Sequence, residues 1–168
     1  ISDPGRYKIG VATTACRSCP GGWHTDAMDL PACRSCPGGW HAPPTRPFVL
    51  CIECRRGLFG LRRAAANATH GCGECSAGRY SDVEGASAFL SCKACPRGTW
   101  SAATALKEKS ACRSCGAGKF AAPDTGSGGG ATTQGVCVSC GAGRFSVAIG
   151  AADAATCQAC PQSYAQAS

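Results

Sequence analysis

Every cysteine of the chain belongs to a C-x-x-C pair, and this pattern constrains the fold more than any other feature. Successive pairs begin 17, 18, 21, 20, 20, 25 and 20 residues apart. A period near 20 is typical of a repeat architecture rather than of one globular core. The pairs are Cys16/Cys19, Cys33/Cys36, Cys51/Cys54, Cys72/Cys75, Cys92/Cys95, Cys112/Cys115, Cys137/Cys140 and Cys157/Cys160.

A glycine and then an aromatic residue follow most of the cysteine pairs. The segment ACRSCPGGWH occurs twice, at 15–24 and at 32–41. We expect the glycine to permit a turn with positive φ, and the ring to lie on a neighbouring cystine as the core of its repeat. The aromatic residues assigned to this repeat position are Tyr7, Trp23, Trp40, Phe59, Tyr80, Trp100, Phe120, Phe145 and Tyr164.

Large apolar side chains are scarce in this sequence. It has 23 Gly and 16 Cys but only one Met, three Trp, three Tyr and five Phe. At roughly 25 cal/mol per Å² of buried apolar surface, small side chains supply little hydrophobic stabilisation. Covalent links must supply the rest. The sequence therefore predicts a small disulfide-rich fold, with short β-hairpins and turns and little or no helix.

The predicted architecture is one continuous, elongated linear array over 1–168, built from about eight repeats of the period given above. The expected units are 5–19, 20–36, 37–54, 55–75, 76–95, 96–115, 116–140 and 141–160, with 161–168 starting a further unit.

Paired cysteines allow three chemistries. Two pairs together could form a four-cysteine zinc site. A redox-catalytic pair needs one thiolate of lowered pKa at a helix start, but here all eight pairs sit in equivalent repeats. The nearly uniform spacers favour a serial cystine ladder in an oxidising compartment, with no metal site. A multi-zinc protein with four-cysteine sites remains the third interpretation.

The sequence does not fix which cysteines pair. A bridge inside C-x-x-C leaves the repeats unlinked, whereas joining the second Cys of one pair to the first Cys of the next closes a loop around the glycine and the ring. The scheme gives Cys19–Cys33, Cys36–Cys51, Cys54–Cys72, Cys75–Cys92, Cys95–Cys112, Cys115–Cys137 and Cys140–Cys157. Cys16 and Cys160 fall outside it. Either the chain is a fragment of a longer array, or Cys160 of one copy joins Cys16 of another in a head-to-tail fibre.

The unit C-x-x-C-P-x-G-(Y/W)-S, seen best at CKACPRGTWS (92–101), resembles the ephrin-receptor-like cysteine-rich repeat. It is also similar to the first loop of tumour-necrosis-factor-receptor modules, although the cysteines that complete those modules are missing. The resemblance covers almost the whole chain. It implies the same forward pairing and a place outside the cell or on the cell or flagellar surface, because long arrays of this repeat occur in extracellular proteins of protists and algae, including mastigonemes.

The remaining features of the sequence indicate an exposed surface rather than a binding or catalytic site. The net charge is +7, and the densest basic cluster, Arg55, Arg56, Arg62 and Arg63, is interpreted as a solvated surface. Asn67 lies in an N-A-T sequon, which predicts N-glycosylation. Apart from covalent glycans, we expect no cofactor and no nucleic-acid partner. We also expect no membrane span, because the sequence has no run of about 18 apolar residues.

No catalytic constellation is apparent, and we expect a non-enzyme. His24, His41 and His70 lie on polar turns. The main hypothesis is an extracellular structural rod that assembles into a filament or surface appendage of mastigoneme type. Its partners are copies of itself, further repeats of a longer chain, or other filament proteins. The alternative is a receptor-ectodomain stalk or ligand-binding module that uses the Arg55–Arg63 face or the loop 123–135.

Overall fold

The computed structural model describes residues 5–8, 16–27, 30–44, 50–122 and 130–161. Within them the chain forms eight two-stranded antiparallel sheets, numbered hairpins 1 to 8 in chain order. This confirms the predicted fold class. The strand pairs are β1 (Arg6–Lys8) with β2 (Cys16–Ser18), β3 (Trp23–His24) with β4 (Arg34–Ser35), β5 (Trp40–His41) with β6 (Ile52–Glu53), β7 (Leu58–Gly60) with β8 (Cys72–Glu74), β9 (Arg79–Tyr80) with β10 (Lys93–Ala94), β11 (Thr99–Trp100) with β12 (Arg113–Ser114), β13 (Lys119–Ala121) with β14 (Cys137–Ser139), and β15 (Arg144–Phe145) with β16 (Gln158–Ala159).

The chain divides into two compact units. The first comprises Ile1–Cys75 and Ser81–Cys92, and it contains hairpins 1 to 4. The second comprises Ser76–Tyr80 and Lys93–Ser168, and it contains the strands of hairpins 5 to 8.

A tight turn opens each hairpin. In hairpin 2 the Trp23 N–H donates to the Pro20 carbonyl at 3.1 Å, and the third residue of the turn, Gly22, has φ +83°. A positive φ at that position defines a type II turn and selects glycine. The equivalent glycines all have φ between +72° and +84°; they are Gly5, Gly39, Gly57, Gly78, Gly98, Gly118 and Gly143.

In the described part of the chain, helical structure is confined to short segments that precede the first cysteine of a pair. The α-helix α1 (Ala68–Gly71) has four residues and leads into Cys72. Single 3-10 turns occupy Phe89–Ser91, Lys109–Ala111, Gln134–Val136 and Ala154–Thr156. None of the helices among the described residues is long and apolar enough to cross a membrane.

The interior is made of cystine sulfur and small side chains. Cys36, Cys54, Cys75, Cys92 and Cys115 are at most 1% exposed. A small residue three positions after the positive-φ glycine is also buried in most hairpins; these residues are Thr25, Ala42, Gly60, Ser81, Ser101, Ala121 and Ser146. The core therefore recurs once per hairpin.

Candidate functional site

Seven disulfides link consecutive hairpins. They join the same cysteines as the forward scheme: Cys19–Cys33, Cys36–Cys51, Cys54–Cys72, Cys75–Cys92, Cys95–Cys112, Cys115–Cys137 and Cys140–Cys157. Their Cα–Cα distances of 5.4 to 5.9 Å lie in the usual range for disulfides. The seven bonds use fourteen of the sixteen cysteines. Of the other two, Cys16 is half-buried and Cys160 is an exposed thiol.

The ring of hairpin 5 packs on the disulfide that joins this hairpin to the next. Tyr80 of hairpin 5 is 8% exposed and packs with the disulfide Cys95–Cys112, which joins hairpins 5 and 6, and with Leu106 of hairpin 6. The ammonium of Lys93, its cross-strand partner, lies 6.0 Å from the centroid of the ring. Ring, cystine and cation thus form one stacking site, in which the cation–π contact adds to apolar burial.

A second cross-strand pair repeats the cation contact. The guanidinium carbon of Arg113 lies 5.6 Å from the Trp100 ring centroid, and the two residues face each other in hairpin 6. In hairpin 4 the ring of Phe59 instead meets Phe89 edge-on, with centroids 5.4 Å apart. The ring position is therefore constant, while its outer partner varies.

The structure corrects the sequence alignment of the two GGWH segments. In hairpin 5 the ring residue Tyr80 pairs with the first residue between the cysteines, Lys93. In hairpin 2 the first residue between the cysteines is Arg34, and it pairs with His24 rather than with Trp23. Trp23 pairs with Ser35.

Hairpin 3 repeats this arrangement, with His41 opposite Ile52 and Trp40 opposite Glu53. Counting from the positive-φ glycine, the imidazoles of His24 and His41 therefore occupy the ring position, and Trp23 and Trp40 precede it by one residue. Trp23 is accordingly 39% exposed, and Trp40 packs beside Gly85.

His24 makes the contact with the following disulfide that an aromatic ring makes elsewhere. Its Nδ1 lies 3.2 Å from Cys51 Sγ, and its ligand atoms and those of Cys36 and Cys51 lie within 4.8 Å of one another. Such a trio matches a zinc ligand set, but zinc binds thiolates. Cys36 and Cys51 are joined to each other, so the group is a packed cystine with one imidazole beside it.

Backbone hydrogen bonds connect each hairpin to those that follow. The Gly22 N–H donates to the Ala42 carbonyl of hairpin 3 at 2.7 Å. Ala42 donates in turn to Ala65 in the loop of hairpin 4 at 3.0 Å, and Ala64 of that loop donates back to Cys36 at 2.9 Å. Three successive hairpins thus share one hydrogen-bond network.

The same pattern is found in the second unit. Gly118 donates to Ser146 at 2.7 Å, Ala121 to Ala151 at 2.9 Å, and Gly150 to Cys115 at 2.8 Å.

The predicted glycosylation site is exposed and already has a structural role. Asn67 is the N-cap of α1, and its Oδ1 accepts from the His70 N–H at 2.9 Å and lies 2.7 Å from His70 Nδ1. A glycan is attached at Nδ2, so the cap and the modification use different atoms of the side chain.

The basic cluster lies on the surface. Arg55, Arg56, Arg62 and Arg63 are exposed, and Arg56 Nε is 4.0 Å from Glu84 Oε1. An exposed pair at this distance contributes little to stability. Of the remaining predicted features, Tyr164 and the unit beginning at 161 lie outside the described residues except for Pro161, as does the segment 123–129 of the loop 123–135.

The comparison with known proteins identifies no family for this chain. No protein-family model matches the chain, and no curated protein matches it. The similarity to ephrin-receptor-like repeats therefore stays a prediction, and the function has to be inferred from the stacking site itself.

Proposed function

We propose that the protein is an extracellular structural repeat protein, a cystine ladder that assembles into a filament or surface appendage. The supporting observation is that a ring packs on the disulfide that joins its hairpin to the next, as Tyr80 does on Cys95–Cys112 and the imidazole of His24 does on Cys36–Cys51. Each such contact fixes a hairpin against its successor. A chain of small residues thereby gains a fixed shape without a large hydrophobic core.

An oxidising location follows from the same chemistry. Disulfides persist in secreted and cell-surface proteins and are reduced in the cytosol. Asn67 is exposed, which suits a glycosylated surface. We therefore place the protein outside the cell, on the cell or flagellar surface, as the likeness to mastigoneme repeats implies.

A structural role accounts for the histidines without catalysis. His24 packs against a cystine sulfur, and His70 is bound to the N-cap oxygen of α1. His41 takes the ring position of hairpin 3. Each imidazole thus contributes to folding or packing, and we propose no enzymatic activity.

The test combines intact mass, proteolysis and microscopy of the purified protein. Seven disulfides remove 14 hydrogens from the mass of the reduced chain, and we expect that deficit with no bound zinc. The oxidised protein should resist protease and form filaments in negative stain, and both properties should disappear with reductant. Alkylation of every thiol without reductant, or one zinc ion per two pairs, would contradict the cystine ladder. A monomer that binds a ligand saturably would favour the receptor-stalk alternative instead.

A further inference from the structure

The imidazole of His24 and the two sulfurs of Cys36–Cys51 form a group of three potential metal ligands. Their ligand atoms lie within 4.8 Å of one another, and His24 Nδ1 is 3.2 Å from Cys51 Sγ. In the part of the chain that the structure describes, no other three histidine, cysteine or acidic side chains are placed closely enough to hold an ion. Cys36–Cys51 therefore differs from the other six disulfides in having a third ligand beside it.

Strands on either side of the disulfide hold the three ligands in place. His24 lies in β3, Cys36 directly follows β4, and Cys51 directly precedes β6. The Cys36 N–H also donates to the Gly22 carbonyl at 2.9 Å, and the separate disulfide Cys19–Cys33 fixes the start of β4. Breaking the bond between Cys36 and Cys51 should therefore leave both sulfurs close to the imidazole.

Two thiolates and one imidazole make a ligand set that suits zinc. A tetrahedral ion with Zn–S bonds of about 2.3 Å places its two sulfurs about 3.8 Å apart. The Cα atoms of Cys36 and Cys51 are 5.7 Å apart, so rotation of the two side chains is enough to give that separation. Water fills the fourth position at zinc sites that have three protein ligands.

We propose that His24, Cys36 and Cys51 form a redox-gated zinc site. A dithiol reductant gives two electrons and two protons to the disulfide: the S–S bond breaks, both sulfurs become thiols, and the reductant becomes a cyclic disulfide. Zinc then displaces the two thiol protons and binds both thiolates together with a ring nitrogen of His24. A small disulfide oxidant takes the two electrons back and releases the ion.

The zinc ion would take the place of the covalent link between hairpins 2 and 3. Cys36 belongs to hairpin 2 and Cys51 to hairpin 3, so an ion bound to both sulfurs keeps the two hairpins connected after reduction. The inference goes beyond the proposed function, because it concerns one disulfide in its reduced state and leaves the oxidised ladder free of zinc.

The duplicated segment ACRSCPGGWH provides a matched control. His41 is the equivalent of His24 in hairpin 3, but it forms no such group with Cys54 and Cys72, both of which the structure describes. His24→Phe and His41→Phe therefore remove the same side chain from equivalent positions. Both variants should fold, because phenylalanine occupies the ring position in hairpins 4, 7 and 8, and the 14-hydrogen mass deficit of the oxidised protein checks this.

Redox equilibration of the full chain gives the readout. The oxidised protein is incubated in glutathione buffers of graded ratio, either with free zinc buffered at a fixed level or with EDTA. Acid quenching stops exchange and strips the metal, and maleimide labelling with peptide mapping gives the reduced fraction of each disulfide. We expect zinc to raise the equilibrium constant for reduction of Cys36–Cys51 at least tenfold, which corresponds to about 30 mV, and to affect the other six less.

The two variants should respond differently to zinc. His24→Phe should lose most of the effect, because even substitutions outside the ligand shell lower metal affinity about 10- to 100-fold. His41→Phe should respond like the wild type. Native mass spectrometry of the singly reduced wild type should show one bound zinc ion.

Several results would overturn the zinc site. Zinc may leave the reduction of Cys36–Cys51 unchanged, or shift all seven disulfides equally, and either outcome refutes it. A zinc effect that persists in His24→Phe, or that is lost in His41→Phe as well, refutes it too, because the imidazole of His24 would then not be the third ligand. The proposed function fails separately, through free thiols in the untreated protein, whereas this inference fails only after reduction.

Discussion

At the residue scale, two separate features of the structure require glycine in the turns. The φ of each turn glycine is positive, and in the inner hairpins the backbone of a later loop lies where a side chain would be. Gly22 has φ +83° and its Cβ would overlap with the Ala64 carbonyl, whereas Gly143 has φ +72° and open space.

An alanine substitution at Gly143 and at Gly22 separates the effect of positive φ from the effect of the close backbone contact. We expect Gly143→Ala to cost about 1 kcal/mol, the cost of a left-handed backbone in a residue with a Cβ. Gly22→Ala should cost at least about 2 kcal/mol more, because the loop of hairpin 4 has to move. Thermal unfolding of the oxidised proteins measures both. Equal losses would mean that the close approach at Gly22 contributes nothing.

One loop position carries alanine where other hairpins carry glycine. Ala105 has φ +54°, while its equivalents Gly85 and Gly150 have φ +66° and +71°. Ala105→Gly should therefore raise stability by about 0.5 kcal/mol, since relief of the strained φ exceeds the entropy cost of glycine. Ala102→Gly, at an exposed residue without positive φ, should instead lower it by about 0.5 kcal/mol. A loss of stability in Ala105→Gly would contradict this account.

The sequence predicted the spacing of the disulfides but misplaced two side chains. The spacing of the pairs left the connectivity open, and the requirement that the bridges link successive repeats predicted the forward bond from Cys95 to Cys112 that the structure contains. Matching one aromatic residue to another aligns the GGWH segments on Trp23 and Trp40. Side-chain position depends on backbone register, which the second glycine sets, and counting two residues from that glycine would have found His24.

At the element scale, helical turns position the second cysteine of five disulfides, which is the first cysteine of its C-x-x-C pair. No 3.6-residue periodicity predicts these turns, because each is a single turn fixed by its neighbours. Only two have a side-chain cap, made by Asn67 for α1 and by Asp153 for Ala154–Thr156.

The cap of α1 can be separated from glycosylation at the same residue. Asn67→Ala removes the acceptor for the His70 N–H and should cost about 1 kcal/mol. Asn67→Asp keeps an oxygen in that place while abolishing the sequon, so it should retain the stability of unglycosylated wild type. Thermal unfolding of protein made in a host without N-glycosylation checks this, and a destabilised Asn67→Asp would show that the amide group itself is needed.

At the scale of the whole molecule, stability should be distributed along the chain rather than shared by one core. Hydrogen bonds and ring contacts connect a hairpin to its one or two successors, as Gly78, Ser101 and Ala131 do. Arrays of this kind lose structure locally, because each repeat depends on its neighbours alone. The sequence predicted this dependence from the repeat period. The repeat period does not predict the loop from two hairpins away that covers Gly22, Gly39, Gly78 and Gly98, because that contact has no fixed signature beyond small residues.

Two disulfides with equal loops provide the test. Cys95–Cys112 and Cys140–Cys157 both span 17 residues, so removing either by double alanine substitution should forfeit roughly 3 kcal/mol of loop-closure entropy. Cys95–Cys112 also packs with the buried Tyr80, and its loss should cost more than the loss of Cys140–Cys157.

Hydrogen exchange measured by mass spectrometry shows which residues lose protection when a disulfide is removed. Without Cys95–Cys112, protection should fall in 76–122 and stay unchanged in 16–44, because hairpins 2 and 3 belong to the first compact unit and hairpin 6 to the second. A uniform loss of protection from hairpin 1 to hairpin 8 would instead mean that the molecule unfolds as one cooperative body, in which case the repeats could not act as independent lengths of a strut.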